Sequence, residues 1–596
     1  MNILLTAINA KYIHSNLAVY SLRACAGEYR DAVELAEYTI NNQKDYILEE
    51  LYKKKPDILC FSCYIWNIDY VTDIAREYKK LCPSVPIWVG GPEVSYEVEA
   101  FLRENPYIDG VMIGEGEDTF RELCGYYAHQ KRLIDIAGIA FRKKSADGKA
   151  GEIVFTSPRP IKNMSEIPFC YDTLDDFSNR IIYYESSRGC PFSCSYCLSS
   201  VDKTLRFRDT EIVKRELKFF IDQKVPQIKF VDRTFNCNHA HAMELWRFIK
   251  ANDNGVTNFH FEISADLLNQ EELELISDMR PGLIQLEIGV QSTNEVTIKE
   301  IHRTMKLERL KEVVRLIQSG NNIHEHLDLI AGLPYEDYDS FGRSFDEIYE
   351  LKPNQLQLGF LKVLKGSYMF EHAAEYGIVY HDKPPYEVMS TKWLSFDDVI
   401  KIKRVEEMLE VYYNSGQFEI TMKLMECIFD SAFEFFQELG DFYEANGYFG
   451  MSHSRIRRCE ILLEFLALYL HGCDSDDMAS VGLSGNAGDR DNTDFDENAQ
   501  IYSMIQESLI FDLYYRENCK SRPRWATDIG KFKHMTHAYC KNGKLSHVEP
   551  FHYIFPDKHT RKLDELPKYH KEPVWALFHY DMRDPLDHQA LVEYIE

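Results

Sequence analysis

Strand-like and helix-like stretches alternate through the first 380 or so residues of this chain, and then the alternation stops. Parallel strands cannot be joined by tight turns and need crossover helices, so such alternation selects parallel sheets over hairpin folds. At 596 residues the chain exceeds what one core can organise. The expected class is therefore α/β, in several units: a doubly wound, Rossmann-like (flavodoxin-like) parallel sheet over 1–150, a linker over 151–180, a partial (β/α)6 barrel over 181–380, and a mainly helical C-terminal domain over 381–596. In the first unit, strands are expected over 2–8, 32–40, 57–64, 85–89 and 110–113, and helices over 15–29, 44–54, 71–81 and 119–128. Ligands of such sheets bind beyond the carboxyl ends of the strands. Gly90-Gly91 and Gly114-Glu115-Gly116-Glu117 fall at two of those ends, and no GxGxxG follows the first strand.

In the second unit, strands are expected over 181–185, 227–231, 259–264, 283–289, 325–330 and 355–361. The loop after the first of them carries Cys190, Cys194 and Cys197 in a CxxxCxxC arrangement. All-cysteine ligation of a [4Fe-4S] cluster takes four thiolates, so three leave one iron without a protein ligand. A vacant coordination position is what a metal site keeps when it performs chemistry. In a barrel that chemistry belongs at the carboxyl ends of the strands, where this loop falls.

CxxxCxxC with an aromatic residue, Tyr196, before its last cysteine resembles the signature of radical S-adenosylmethionine (SAM) enzymes. The resemblance implies a cluster on Cys190, Cys194 and Cys197 whose open iron chelates SAM and whose electron yields a 5′-deoxyadenosyl radical. It further implies that Tyr196 lies near the adenine, Asp232 at the amino group of SAM and Glu262 at the ribose. Gly289, Gln291 and Ser292 would stand near the methionine carboxylate and ribose, and Gly332 and Pro334 beside the adenine. Upstream, Gly90-Gly91-Pro92-Glu93 followed by Gly114-Glu115-Gly116-Glu117 resembles the cobalamin-binding domain that precedes many radical SAM cores. That implies a nucleotide-tail groove at Gly90, Gly91, Glu93, Glu115 and Gly116, with Ser62, Tyr64 and Trp66 under the corrin ring. The DxHxxG motif that supplies a histidine to cobalt elsewhere is missing, and His14 is a candidate ligand. Cys237 lies outside the motif and reads as incidental.

After residue 381, helices are expected over 396–413, 419–439, 454–470 and 499–518, an acidic loop over 473–498, and strands over 548–555 and 573–580. This part resembles an uncharacterised domain that accompanies some cobalamin-binding radical SAM proteins. It is expected to cap the barrel mouth or to serve as a dimerisation module.

The expected function is a radical SAM, cobalamin-dependent methyltransferase acting on an unactivated carbon, with an oxidoreductase, cyclase or rearrangement enzyme as the alternative. A tRNA methylthiotransferase would need three further cluster cysteines, and Cys25, Cys60, Cys63 and Cys82 are poorly spaced for that. A non-catalytic cobalamin sensor would have no use for an intact CxxxCxxC. A formal net charge of −27 disfavours a nucleic-acid partner, since an acidic chain repels a polyanion. No apolar run reaches the ~18–20 residues that span a bilayer. Fifteen cysteines and a first segment that reads as a strand, not as a signal peptide, place the chain in a reducing cytoplasm. A small-molecule or peptide substrate and an external electron donor such as flavodoxin or ferredoxin are the expected partners. No catalytic general base is identifiable.

Overall fold

The computed structural model describes residues 1–143, 151–177, 179–471, 497–540, 545–556, 560, 563, 565–584 and 586–595. Its first sheet has the order β2-β1-β3-β4-β5-β6-β7, with β1 Ile3–Asn9, β2 Val33–Thr39, β3 Ile58–Ser62, β4 Ile87–Gly90, β5 Gly110–Met112, β6 Ile139–Arg142 and β7 Ile153–Phe155. The first five run parallel, and β1 is buried at all seven positions. A strand covered by helices on both faces has no reason to alternate, and Ile-Leu-Leu-Thr-Ala-Ile-Asn does not. The last two strands are antiparallel additions that the sequence reading lacked. The stretch expected as a linker thus opens with β7, an edge strand of this sheet. A short helix, Val98–Glu104, was also not expected.

The second sheet is entirely parallel, in the order β15-β14-β13-β12-β11-β8. Its members are β8 Ile182–Tyr184, β11 Gln227–Phe230, β12 Asn258–Ile263, β13 Ile284–Gln291, β14 His324–Ala331 and β15 Gln355–Phe360. Two-residue strands β9 Ser187–Arg188 and β10 Arg206–Phe207 pair antiparallel beside β8. Strands β8 and β15 are the sheet's two edges, so six strands form an open barrel and not a closed eight-stranded one. Strand β13 alternates strictly: Ile284, Leu286, Ile288 and Val290 are buried, whereas Gln285, Glu287, Gly289 and Gln291 are half-buried. The apolar half packs outward on the helices. The inner face is polar, unlike the aliphatic layers that fill a closed barrel.

Beyond β15, the chain forms a small hairpin, β16 Val379–Tyr380 and β17 Val388–Ser390, before helix Phe396–Leu409. The helix expected over 419–439 is two helices, Glu419–Ile428 and Ala432–Ala445. Ser431 breaks them apart: its Oγ accepts from Glu434 N at 3.0 Å as the N-cap of the second. Helices Arg455–His471 and Glu497–Arg516 follow the reading closely. Most of the acidic stretch expected as a loop, 472–496, lies outside the described residues. The chain ends in an antiparallel sheet of β18 Ser546–Tyr553, β19 Tyr569–Arg583 and β20 Ala590–Ile595, the last of these unforeseen. No helix among the described residues is long and apolar enough to cross a membrane.

Candidate functional site

Strand β8 delivers the cysteine loop. Gly189, immediately before Cys190, has φ +87°, and a Cβ there would stand 2.6 Å from Thr204 O, so only glycine fits the turn. Cys190 and Cys194 are buried and Cys197 is half-buried. Cys197 N donates to Cys194 O at 3.2 Å. The loop is pinned from outside: Ser195 N donates to Ile301 O at 2.9 Å, and Ser195 O accepts from Met369 N at 2.9 Å. Burial pushes the Cys190 thiol up, and the nearby Cys197 and Cys194 add to the rise. Mutual repulsion of this kind is what a cationic cluster relieves. No three His, Cys, Asp or Glu side chains among the described residues converge tightly enough for a single ion. An iron–sulfur cluster asks for something else, since each thiolate takes its own iron. Three neighbouring thiols on one short loop fit that donor set.

A small cavity of about 150 Å³ opens beside Cys194, lined by Arg233, Glu262, Glu287, Gly289, Gln291 and Arg303 among others. Arg303 donates to Gly289 O and to Tyr196 OH (3.2 Å), and its guanidinium lies 3.8 Å from Cys194 Sγ. Glu262 is pushed up to about 7, by burial first and then by the neighbouring Glu287. Burial also works against the charge on Glu287. There, hydrogen bonds from His260 and Lys229 win and hold it down at about 2. His326 and Asp328 face each other at 3.1 Å, one strand further on.

Not every expected SAM residue faces this space. Asp232 is fully buried, and its carboxylate accepts from Ser186 N (2.9 Å), Ser186 Oγ (2.6 Å) and Ser187 Oγ (2.5 Å). It therefore braces the loop that follows β8 and lines neither cavity. Ser292 is likewise buried, its hydroxyl donating to Glu336 Oε1 at 2.6 Å. Gly332 has φ +88° and packs so closely on Val388 that a Cβ would stand 2.6 Å from it. Pro334 offers its carbonyl to Thr297 Oγ1 at 3.0 Å. Neither of these two lines the small cavity.

A larger cavity of about 790 Å³ separates the carboxyl ends of the two sheets. Ser62, Tyr64, Trp66, Gly90, Gly91, Glu115 and Gly116 form one wall. Tyr64 and Trp66 stack at 4.4 Å and 7°, a flat aromatic platform. Gly91 has φ +123°, and any Cβ would overlap Cys63 O, so the backbone is bare there. Glu93 lies outside the lining and accepts a hydrogen bond from Tyr386 OH, which follows the hairpin strand β16. His14 does line the cavity, its Nδ1 2.7 Å from Tyr183 OH, and burial lowers its pKa, which leaves it neutral. The opposite wall comes from the second sheet, with Glu185, Ser187, Arg188 and Gly189. Arg188 ties the walls together, meeting Glu117 at 2.5 Å and Glu185 at 2.9 Å, and Arg206 meets Glu115 at 2.6 Å. No pattern along the chain points to Arg303 or Tyr386; only the position of Arg188, two residues before Cys190, could have drawn notice.

Cys25, Cys60, Cys63 and Cys82 join no metal-binding group among the described residues. Burial raises the thiols of Cys25, Cys60 and Cys63.

Three family models match the chain: a B12 binding domain over 3–124, the radical SAM superfamily over 184–348, and a protein of unknown function, DUF4080, over 374–589. The 2-(S-pantetheinyl)-carbapenam-3-carboxylate methyltransferase of Streptantibioticus cattleyicolor is 27% identical over 319 residues, which is 50% of this chain and 45% of that protein. The cobalamin-dependent radical SAM methyltransferase TokK of Streptomyces tokunonensis is 27% identical over 350 residues, 55% of this chain and 49% of TokK. The chain thus spans about half the length of these curated relatives. In structure it resembles the cobalamin-dependent SAM radical enzyme OxsB, solved with aqua-cobalamin and SAM bound, at a TM-score of 0.56 and 15% identity, covering 86% of this chain and 80% of OxsB. That likeness concerns the fold. The chain thus carries a B12 binding domain, a radical SAM superfamily domain and a DUF4080 domain, in that order.

Proposed function

We propose that this chain is a cobalamin-dependent radical SAM methyltransferase that acts on an unactivated carbon of a small-molecule or peptide substrate. One observation carries the reading: a single cavity of about 790 Å³ has the Gly90-Gly91 and Glu115-Gly116 turns on one wall and the loop leading to Cys190 on the other. When bound, the cluster with SAM supplies a 5′-deoxyadenosyl radical, and cobalamin supplies an activated methyl group. Cys190, Cys194 and Cys197 would hold the cluster, with the Arg303 guanidinium beside Cys194. Gly289, Gln291 and Glu262 would line the SAM subsite, with Tyr196 fixed behind them by Arg303. Gly90, Gly91, Glu115 and Gly116 would form the cobalamin groove, and the Tyr64–Trp66 platform would lie against the corrin.

The cluster needs an external one-electron donor, such as flavodoxin or ferredoxin, and a reducing compartment, which makes a cytoplasmic location the natural one. Nucleic acid is the less favoured substrate at this net charge. An oxidative ring closure is the second reading, favoured by Glu262: a carboxyl held near neutrality inside the barrel can accept a proton from substrate. Anaerobically purified protein is expected to hold about four irons and one cobalamin and to cleave SAM to 5′-deoxyadenosine when reduced. Cys194→Ala abolishes that cleavage and leaves the corrinoid bound. Iron-free native protein, or loss of both cofactors in the variant, refutes the assignment.

A further inference from the structure

Four arginines line the two cavities among the described residues, and three of them are spoken for. Arg188 is paired with Glu117 and Glu185. Arg208 meets Glu216 at 2.8 Å and Ile167 O at 2.6 Å. Arg303 is held by Gly289 O and Tyr196. Arg233 is the fourth, and it alone lines both cavities. Its backbone carbonyl accepts from Thr234 Oγ1, but its guanidinium makes no hydrogen bond or ion pair with the described residues.

The placement has a structural cause. Asp232 and Arg233 follow β11, and the chain turns at Arg233. Asp232 is locked inward by Ser186 and Ser187, whereas Arg233 is exposed and lines both cavities. Its charge is felt by Tyr64 in the wall of the larger cavity and by Glu262 in that of the smaller. In a chain with 95 acidic and 68 basic residues, an arginine in a concave site finds a carboxylate easily. This one has been left with its fork open. Guanidinium is planar, always charged and matched to two oxygens of one anion.

We propose that Arg233 is the specificity-determining residue that binds an anionic group, carboxylate or phosphoryl, of the substrate. The inference rests on the radical SAM reading above and adds a substrate class to it. Because Arg233 lines both cavities, a substrate that occupies either one can set an anionic group against its guanidinium. The same chemistry has two other sources in the site, the methionine carboxylate of SAM and the phosphodiester of cobalamin, and the test separates them.

The test uses reconstituted wild-type holoenzyme, Arg233→Gln and Arg233→Lys. Equilibrium dialysis measures inorganic phosphate and acetate as anion probes, alongside SAM affinity, cobalamin content and reductive SAM cleavage without substrate. The wild type is expected to bind about one equivalent of phosphate or acetate saturably. Arg233→Gln weakens that binding about tenfold or more, and Arg233→Lys, which keeps charge but not the fork, weakens it less. SAM affinity, cobalamin content and uncoupled cleavage stay within about twofold of wild type. The proposal is overturned if the wild type binds neither anion saturably, if Arg233→Gln binds them equally well, or if SAM affinity or cobalamin content falls in the variant. Failure of the underlying reading looks different: the wild type itself then forms no 5′-deoxyadenosine.

Discussion

Glu262 stands on β12 with Glu287 beside it, and burial with that neighbour lifts its pKa from 4.5 to about 7. The folded protein therefore holds this proton over a pH range in which the unfolded chain has released it. Stability linked to Glu262 is greatest below pH 4.5 and falls as pH rises from there to about 7. Glu262→Gln removes the dependence. The variant is expected to gain on wild type by up to about 3 kcal/mol at pH 8, with no gain at pH 4, in thermal unfolding of the apoprotein. An equal offset at both values contradicts the assignment. Residues of this kind were partly legible in the sequence. Glycines at strand ends carry their meaning in the chain, because Gly91 and Gly189 are fixed by backbone space alone. Carboxylates do not: Asp232 follows β11 and Glu262 stands near the end of β12, and only the fold reveals that the first is consumed by two serines while the second faces a cavity.

The element that joins the parts is the segment after β15. Val388 N donates to Leu361 O at 2.8 Å, Val363 N to Tyr386 O at 3.0 Å, and Met369 N to Ser195 O in the cysteine loop. Val388 packs on Gly332, and Tyr386 donates to Glu93, next to Gly91 of the first sheet. One segment thus touches the cysteine loop, the Gly332 turn and the glycine turn of the B12-binding domain. Tyr386→Phe with Glu93→Gln in a double-mutant cycle is expected to give a coupling of about 1–2 kcal/mol, read as faster hydrogen exchange over residues 90–95. Strict additivity would show that the bond does not hold the turn. The strands and crossover helices were readable because each is one apolar run or one amphipathic period bounded by turn residues. The helix Lys44–Lys54 falls where periodicity put it. This joining segment was not readable, since short hairpins without alternation leave no pattern. Nor was the break at Ser431, where the apolar residues continue through the cap.

At the scale of the molecule, the parallel strands of the two sheets face each other with their carboxyl ends, and the space between them is the candidate site. Order along the chain already implied that each sheet has a functional end; nothing in it said that the ends would meet. Apolar contact cannot hold such walls together where a large ligand is to enter, and the structure uses charge there instead. Arg188 is half-buried and spans the gap to Glu117, itself 5% exposed, while holding Glu185 on its own side. Removing the cation leaves two carboxylates facing one another out of bulk water, which costs more than the pair contributes. Arg188→Ala is expected to destabilise by about 3–5 kcal/mol, and adding Glu117→Gln to recover a substantial part of that, both read by calorimetry. The loss should change little between low and physiological salt, because screening reaches buried pairs weakly. A loss that vanishes at 0.15 M salt would mark Arg188 as a surface pair, and the joint between the two sheets would then have to be sought in the segment after β15.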